Sequence, residues 1–466
     1  MKFLMRWFSL VGLLCVLNRA HAETVAQAVA ALPPQALAGW IAPVEGGAPL
    51  WQVRATTPMR PASTMKVLTT YAALALLGPQ FHWTTDWLST APQQDDVLAG
   101  DLYWRGNGDP MFDRDSLASL ARTVRARGIR VIQGDLLLDK SAFSTVGSYS
   151  ELDSEQGRAY QVEPDPLLTN FKVVWLTLFA HDGAVRVALD PPLPGLTVRN
   201  QLTLGPGTCE GGVQRYVTHK LDGATLTLSG QFPAECDGQQ IYASVFDHDQ
   251  FQSQAFAAIW REAGGEWHGK VRRARTPEGA RVLASHSSPP LAEVVYSTNK
   301  YSNNTMARQL LLTIGTQYPK TGNTLQDGIS AIQTWLKSQG LDFPELRLEN
   351  GSGLSRHEFI TAEHLGELLQ SAARSAVGPE LLASLPIAAQ DGTLAHRFVD
   401  SGINARMKTG TLNDVRALAG VVTVAGKRYV VVLIVNSETP MLHTVLDSVL
   451  EALAQGVLGK TVLVGP

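Results

Sequence analysis

The stretch PASTMKVLTTYAALALLG, residues 61–78, decides how the rest of the chain is read. It is apolar on nearly every side and stops at Gly78-Pro79, which predicts one helix with Ser63 near its start. A helix apolar all round is a central, buried one. Ser63 and Lys66 stand three residues apart on its first turn and so share one face, within about 5 to 6 Å. The helix N-terminus favours negative charge developing there. This suits an alkoxide nucleophile beside an amine. The plain alternative is a capping serine and a surface lysine, but a buried helix body behind Lys66 points the amine into a cleft. To act as a base the amine must be neutral, which at an ordinary pKa costs about 4.6 kcal/mol at pH 7. Burial and a second cation nearby both lower that cost.

The same Ser-x-x-Lys pattern recurs in STNKYSNN, residues 297–304, where Ser297 and Lys300 run into a Ser-x-Asn at Ser302 and Asn304. No long buried helix begins at Ser297. LAEVVYSTNK is read as a helix from Leu291 ending near Lys300, where positive charge is favourable. Ser302 is a candidate proton relay and Asn304 a candidate donor to a substrate amide, with helix capping as the structural alternative for Asn304. Lys-Thr-Gly also occurs twice. The copy at Lys320 follows Pro319 between two amphipathic helices and is assigned to a surface loop. The copy at Lys408, Thr409 and Gly410 is followed by Thr411 and then by ALAGVVTVAGKRYVVVLIV, a hairpin by pattern. This places it on an edge strand able to add an extended peptide, with its glycine allowing close substrate approach. Lys408 is then the second cation.

The 466 residues, 45% hydrophobic, allow about three domains. Residues 1–22 combine Lys2 and Arg6, an apolar run to Leu17 and Ala20-His21-Ala22, the pattern of a cleaved secretory leader. Losing Lys2, Arg6 and Arg19 with that leader takes the formal charge from −3 to about −6, which argues against nucleic acid. Cys209 and Cys236 then remain, as a candidate disulfide or as two free structural thiols. No later apolar run reaches the length of a spanning helix, so no transmembrane anchor is expected. The eleven histidines show no metal-ligand spacing, so neither metal nor cofactor is expected. ENGSGLSR, 349–356, lacks the leading strand of a nucleophile elbow.

A helix, Arg125, Gly128, a short strand and Gly134 recur in order as a helix, Arg261, Gly264, a short strand and Gly269. Between these half-units, 168–236 alternates like a small all-β module. The expected organisation is a leader (1–22), a discontinuous catalytic domain (23–90 and 285–466), an α/β domain (91–167 and 237–284) and the β-module (168–236). A last amphipathic helix, about Met441 to Leu453, is expected to pack on the terminal sheet.

Ser-x-x-Lys, Ser-x-Asn and Lys-Thr-Gly in that order are the set found in penicillin-binding proteins and serine β-lactamases. With GNGDP, PDPLLTNF, YSNN, ENGSGLSR, DGTLAHRF and MKTGTLNDVRALAG, the chain resembles low-molecular-mass class C penicillin-binding proteins of the D-alanyl-D-alanine carboxypeptidase/endopeptidase type. The resemblance implies an α/β multidomain fold. Its β-lactamase/transpeptidase-like domain, an antiparallel sheet flanked by helices, is interrupted by an α/β insertion that carries the β-module. It implies a periplasmic serine peptidase acting on peptidoglycan stem peptides and inhibited covalently by β-lactam antibiotics. It further implies that Ser63 attacks, Lys66 is the base, Ser302 relays the proton, Asn304 orients the substrate, and Lys408, Thr409, Gly410 and Thr411 bind it. Backbone N–H groups of Ser63 and Thr411 would form the oxyanion hole. The alternatives are a β-lactamase, which the long interval from Ser63 to Ser302 argues against, and a non-catalytic cell-wall binder, which has no need of Ser63, Lys66, Ser302, Asn304 and Lys408 together.

Overall fold

The computed structural model describes residues 32–147, 161–399, 401–438 and 442–456. The leader expected at 1–22, with Cys15, lies outside the described residues. The chain divides into two compact units, His82–Pro289 with Gly322–Thr324 forming one and the flanking segments the other.

The flanking segments build a five-stranded antiparallel sheet. Its spatial order is Asn404–Leu412, Val415–Val424, Lys427–Asn436, Leu37–Pro43 and Trp51–Val53. The last two long strands are nearly continuous apolar runs because both their faces are covered. They are joined at Ala425-Gly426, both with positive φ, the geometry a two-residue hairpin turn requires. One face of the sheet packs Leu418, Val431 and Leu433 against Leu446, Val449 and Leu450 of the C-terminal helix Leu442–Ala454. The terminal helix is therefore a core element, as its pattern predicts. The helix Ala362–Arg374 also lies against this sheet, with Gly366 on the ring of Trp40, where a β-carbon would collide with the indole.

The helix expected from Pro61 begins one turn late. Ala62–Thr64 form a 3-10 turn and the α-helix runs Met65–Leu77. Thr64 closes the turn twice on the Pro61 carbonyl, through its N–H at 3.3 Å and its hydroxyl at 2.7 Å. Within the α-helix Met65, Val67, Leu68, Ala72, Ala73 and Leu74 are all fully buried, each large aliphatic worth roughly 1.5–3 kcal/mol. The buried polar residues of this helix are satisfied: the Thr70 hydroxyl donates to Lys66 O at 2.6 Å and accepts from Asn299 Nδ2.

In the other unit the two echoing half-units pair in parallel. Glu266–Trp267 runs beside Val131–Ile132, and Val271–Arg273 beside Leu136–Asp139. Gly128 and Gly264 both turn the chain with positive φ. Residues 173–190 with 240–244, and 197–233, form two three-stranded sheets. A single apolar core runs from Trp87, Trp104 and Trp260 through to Leu226, Phe232 and Cys236. Cys209 and Cys236 form a disulfide.

Gly366→Leu should force a side chain into the Trp40 ring. The expected loss is about 1–3 kcal/mol of stability by denaturant titration, as for other overpacked cores.

Candidate active site

The first turn of the buried helix carries a lysine with no solvent exposure at all. Lys66 Nζ lies 2.9 Å from Ser63 Oγ, 2.6 Å from Asn304 Oδ1 and 2.5 Å from the carbonyl oxygen of Ser352. Of these partners Asn304 Oδ1 and Ser352 O can only accept, whereas the serine hydroxyl can also donate. A neutral amine has two N–H bonds and one lone pair. With both N–H bonds given to the two obligate acceptors, the lone pair faces the Ser63 hydroxyl. This is the geometry by which an amine removes a serine proton.

The turn holding Ser63 is fixed from two sides. Ala62 has φ +48°, a left-handed conformation that costs a residue with a side chain roughly 1–2 kcal/mol. Gly353 packs directly on the Ala62–Ser63 peptide, where any β-carbon would collide with the Ala62 carbonyl. Gly410 faces the same turn from the edge strand, and a β-carbon there would stand 2.8 Å from Pro61 O. The absent side chain of Gly410 thus leaves room for the turn that carries Ser63.

Ser302 and Asn304 come from the junction between the helices Leu291–Lys300 and Asn304–Gln317. Ser302 has φ +57°, a turn that presents its hydroxyl to Lys408 Nζ at 2.8 Å. The capping role that the sequence allowed for Asn304 belongs to its neighbour. Asn303 Oδ1 accepts the Met306 N–H at 3.0 Å, and Asn304 is thereby available to Lys66.

Lys408, Thr409, Gly410 and Thr411 lie on Asn404–Leu412, the edge strand of the sheet, as expected. Lys408 is fully buried and also donates to Thr409 O at 2.8 Å. Thr409 Oγ1 lies 2.7 Å from Thr393 Oγ1, so the DGTL turn touches this strand. The other Lys-Thr-Gly copy sits in an exposed loop, where the backbone N–H groups of Lys320 and Thr321 bond the Asp327 carboxylate.

Burial pushes the pKa of Lys66 well below that of an ordinary lysine. The charge of Lys408 adds to the fall and that of Glu358 opposes it. Burial also pushes Lys408 down to about 7. Desolvation thus supplies most of the cost of a neutral amine, and the second cation supplies less.

Two contributors were not legible in the sequence. Ser352 acts through its main-chain oxygen, which leaves no mark on residue type. Lys300 ends the helix Leu291–Lys300 as its position predicts, and it is in addition 2% exposed and paired with Asp391 at 2.6 Å. Its carboxylate partner lies too far along the chain for local pattern to reveal. Among the described residues no group of three or more His, Cys, Asp or Glu is placed to hold a metal, and no helix is long and apolar enough to cross a membrane.

A half-buried serine bonded to a buried lysine, a second serine–lysine pair and an antiparallel sheet with the Lys-Thr-Gly strand at its edge define the β-lactamase/transpeptidase-like class of fold. Residues 19–455 match the D-Ala-D-Ala carboxypeptidase 3 (S13) family, and the chain belongs to it. It is 29% identical over 394 residues to a D-alanyl-D-alanine carboxypeptidase, DacB, of Haemophilus influenzae, covering 82% of this chain and 81% of that one. The crystal structure of penicillin binding protein 4 from that organism is similar with a TM-score of 0.76 at 25% identity, covering 94% of this chain and 99% of that one. Its complex with a β-lactam gives a TM-score of 0.72 at the same identity, covering 93% and 99%.

Lys408→Gln removes the cation that helps to lower Lys66, so the pKa of Lys66 should rise. Acylation that needs a neutral Lys66 is lost as pH falls through that pKa. The acid limb of the pH profile for acylation by a fluorescent penicillin should therefore move to higher pH, whatever the substitution does to affinity.

Proposed function

We propose that this protein is a periplasmic serine DD-peptidase, a D-alanyl-D-alanine carboxypeptidase and DD-endopeptidase of peptidoglycan stem peptides. One observation carries the assignment of the site: Lys66 Nζ stands 2.9 Å from Ser63 Oγ with Asn304 Oδ1 and Ser352 O as its other partners, which leaves a neutral amine's lone pair for the serine hydroxyl. Membership of the carboxypeptidase family and the likeness to a β-lactam-binding relative support the substrate class.

Ser63 Oγ attacks the carbonyl carbon between the two D-alanines, and its proton passes to Lys66. The C–N bond then breaks as the proton taken up by Lys66 is passed through Ser302 to the departing D-alanine amine, which returns Lys66 to its neutral form. Water afterwards cleaves the Ser63 ester. Asn304 donates its amide N–H to a substrate carbonyl. Lys408, Thr409 and Thr411 receive the terminal carboxylate, whose charge favours the protonated form of a lysine that burial alone leaves near pKa 7. Backbone N–H groups of Ser63 and Thr411 bind the oxyanion, each such donor being worth about 2.7–4 kcal/mol. Extended peptide adds along the edge strand Asn404–Leu412. β-Lactams acylate the same serine. The leader 1–22 is removed after Ala22, delivering the chain to an oxidising compartment where the Cys209–Cys236 disulfide forms.

Incubation with benzylpenicillin should add one ligand mass to the wild-type protein and none to Ser63→Ala. Labelling retained by the alanine variant would remove Ser63 from the mechanism. Lys66→Met should slow acylation by about 10²–10⁴, the usual contribution of a positioned base. A peptide ending in D-Ala-D-Ala should release D-alanine, and a slow decay of the penicillin adduct separates this reading from a β-lactamase. Mass analysis of protein exported to the periplasm should show a chain starting at Glu23.

A further inference from the structure

A buried carboxylate that the chemistry above does not use stands behind the site. Glu358 has no solvent exposure, and backbone N–H groups fill both its oxygens. Oε1 accepts from Glu349, Asn350 and Gly351 at 3.0, 2.9 and 2.7 Å, and Oε2 accepts from Gly353 at 2.7 Å. Four donors suit an ionised carboxylate, which can only accept, over a protonated one, which must also donate. Burial pushes the Glu358 pKa up, and these four amides hold it back.

The loop gathered by Glu358 meets the nucleophile helix at three successive places. Gly353 packs on the Ala62–Ser63 peptide, Ser352 O accepts from Lys66, and Gly351 O accepts from Thr69 Oγ1 at 2.7 Å. Asn350 closes the loop from within, its Oδ1 accepting from Ser352 N at 2.9 Å and Ser352 Oγ at 2.6 Å. The charges acting on Lys66 are Lys408, from the edge strand, and Glu358, from behind this loop. The helix Asn304–Gln317 turns a neutral amide oxygen to it.

We propose that Glu358 is a positioning residue for acylation: its ionised carboxylate holds the 349–353 loop so that Ser352 O meets Lys66, and provides the counter-charge when Lys66 becomes an ammonium. In that step the Ser63 O–H proton moves to Lys66 Nζ as the Oγ–C bond forms, creating a cation on the lysine and an oxyanion on the substrate. Glu358 balances the first as the backbone N–H groups balance the second. The inference rests on the Ser63–Lys66 chemistry proposed above.

The test is Glu358→Gln in the full-length protein. The substitution keeps the size and the carbonyl-type acceptor while removing the charge. The second-order rate of acylation by a fluorescent penicillin is followed across pH, with folding checked by circular dichroism and thermal melting. The expected result is a folded variant slowed about a hundredfold, the order of loss for a small misplacement of reacting groups. Its acid limb should shift to lower pH, because the charge that raises Lys66 is gone. The shift is opposite in sign to that of Lys408→Gln. A uniform rate loss with the limb unmoved would overturn the counter-charge role, and an unchanged rate would overturn the positioning role. Should the glutamine variant not fold, Asn350→Ala loosens the same loop with the carboxylate in place. A slower rate with the wild-type limb then supports the proposal, whereas a shifted limb or an unchanged rate counts against it. Wild-type protein that is not acylated at any pH would instead sink the function proposed above.

Discussion

An amine sealed away from water needs a partner for every polar bond it makes, because an unmet donor in a protein interior costs about 1–3 kcal/mol. Lys66 finds those partners on three pieces of chain: its own preceding turn, the start of the helix Asn304–Gln317 and the 349–353 loop. One nitrogen therefore fixes the mutual position of three segments. The tight features around it follow from that constraint. Ala62 keeps a left-handed conformation, and Gly353 and Gly410 lack side chains where the turn carrying Ser63 needs the room.

Among the described residues three buried lysines lie in this unit, and the partner in direct contact separates them. Lys300 receives a carboxylate, Asp391, together with the Leu385 carbonyl, and fastens the DGTL turn that brings Thr393 to Thr409. Lys66 and Lys408 receive neutral acceptors only, and burial lowers the pKa of both. The first arrangement makes a strut. The other two leave protons loosely held, as proton transfer near neutral pH requires. The same side chain thus suits architecture or the proposed chemistry according to what stands within about 3 Å of its nitrogen.

Much of this could be read from residue order because it rests on local pattern. The apolar body behind Ser63, the alternation of the terminal hairpin and the repeated glycine spacing of the half-units each have a period that secondary structure imposes. The same reasoning separated STMK from STNK, since a buried helix follows one serine and a helix end follows the other. What stayed hidden is non-local. A carbonyl oxygen such as that of Ser352 belongs to every residue alike, and an acid such as Glu358 looks no different in sequence from a solvated one. The contact between Gly410 and the turn at Pro61 was hidden for the same reason: a missing side chain shows that something approaches, not what approaches. The half-units were visible, but their parallel pairing joins segments more than a hundred residues apart and has no local trace.

The place of Leu37–Pro43 in its sheet has a consequence for how the chain assembles. This strand lies between Trp51–Val53 and Lys427–Asn436, so one edge finds its partner within a few residues and the other only near the C-terminus. Contacts of such wide sequence separation form slowly, since the intervening chain must first be brought together. During synthesis the strand leaves the ribosome early and must wait, with an apolar, unpaired edge, until almost the whole polypeptide has been made. The residues 82–289 carry their own core and can order in the meantime. Assembly of this sheet is thus a late event, and a nascent chain cut short before residue 427 lacks the central strand against which Leu37–Pro43 is registered.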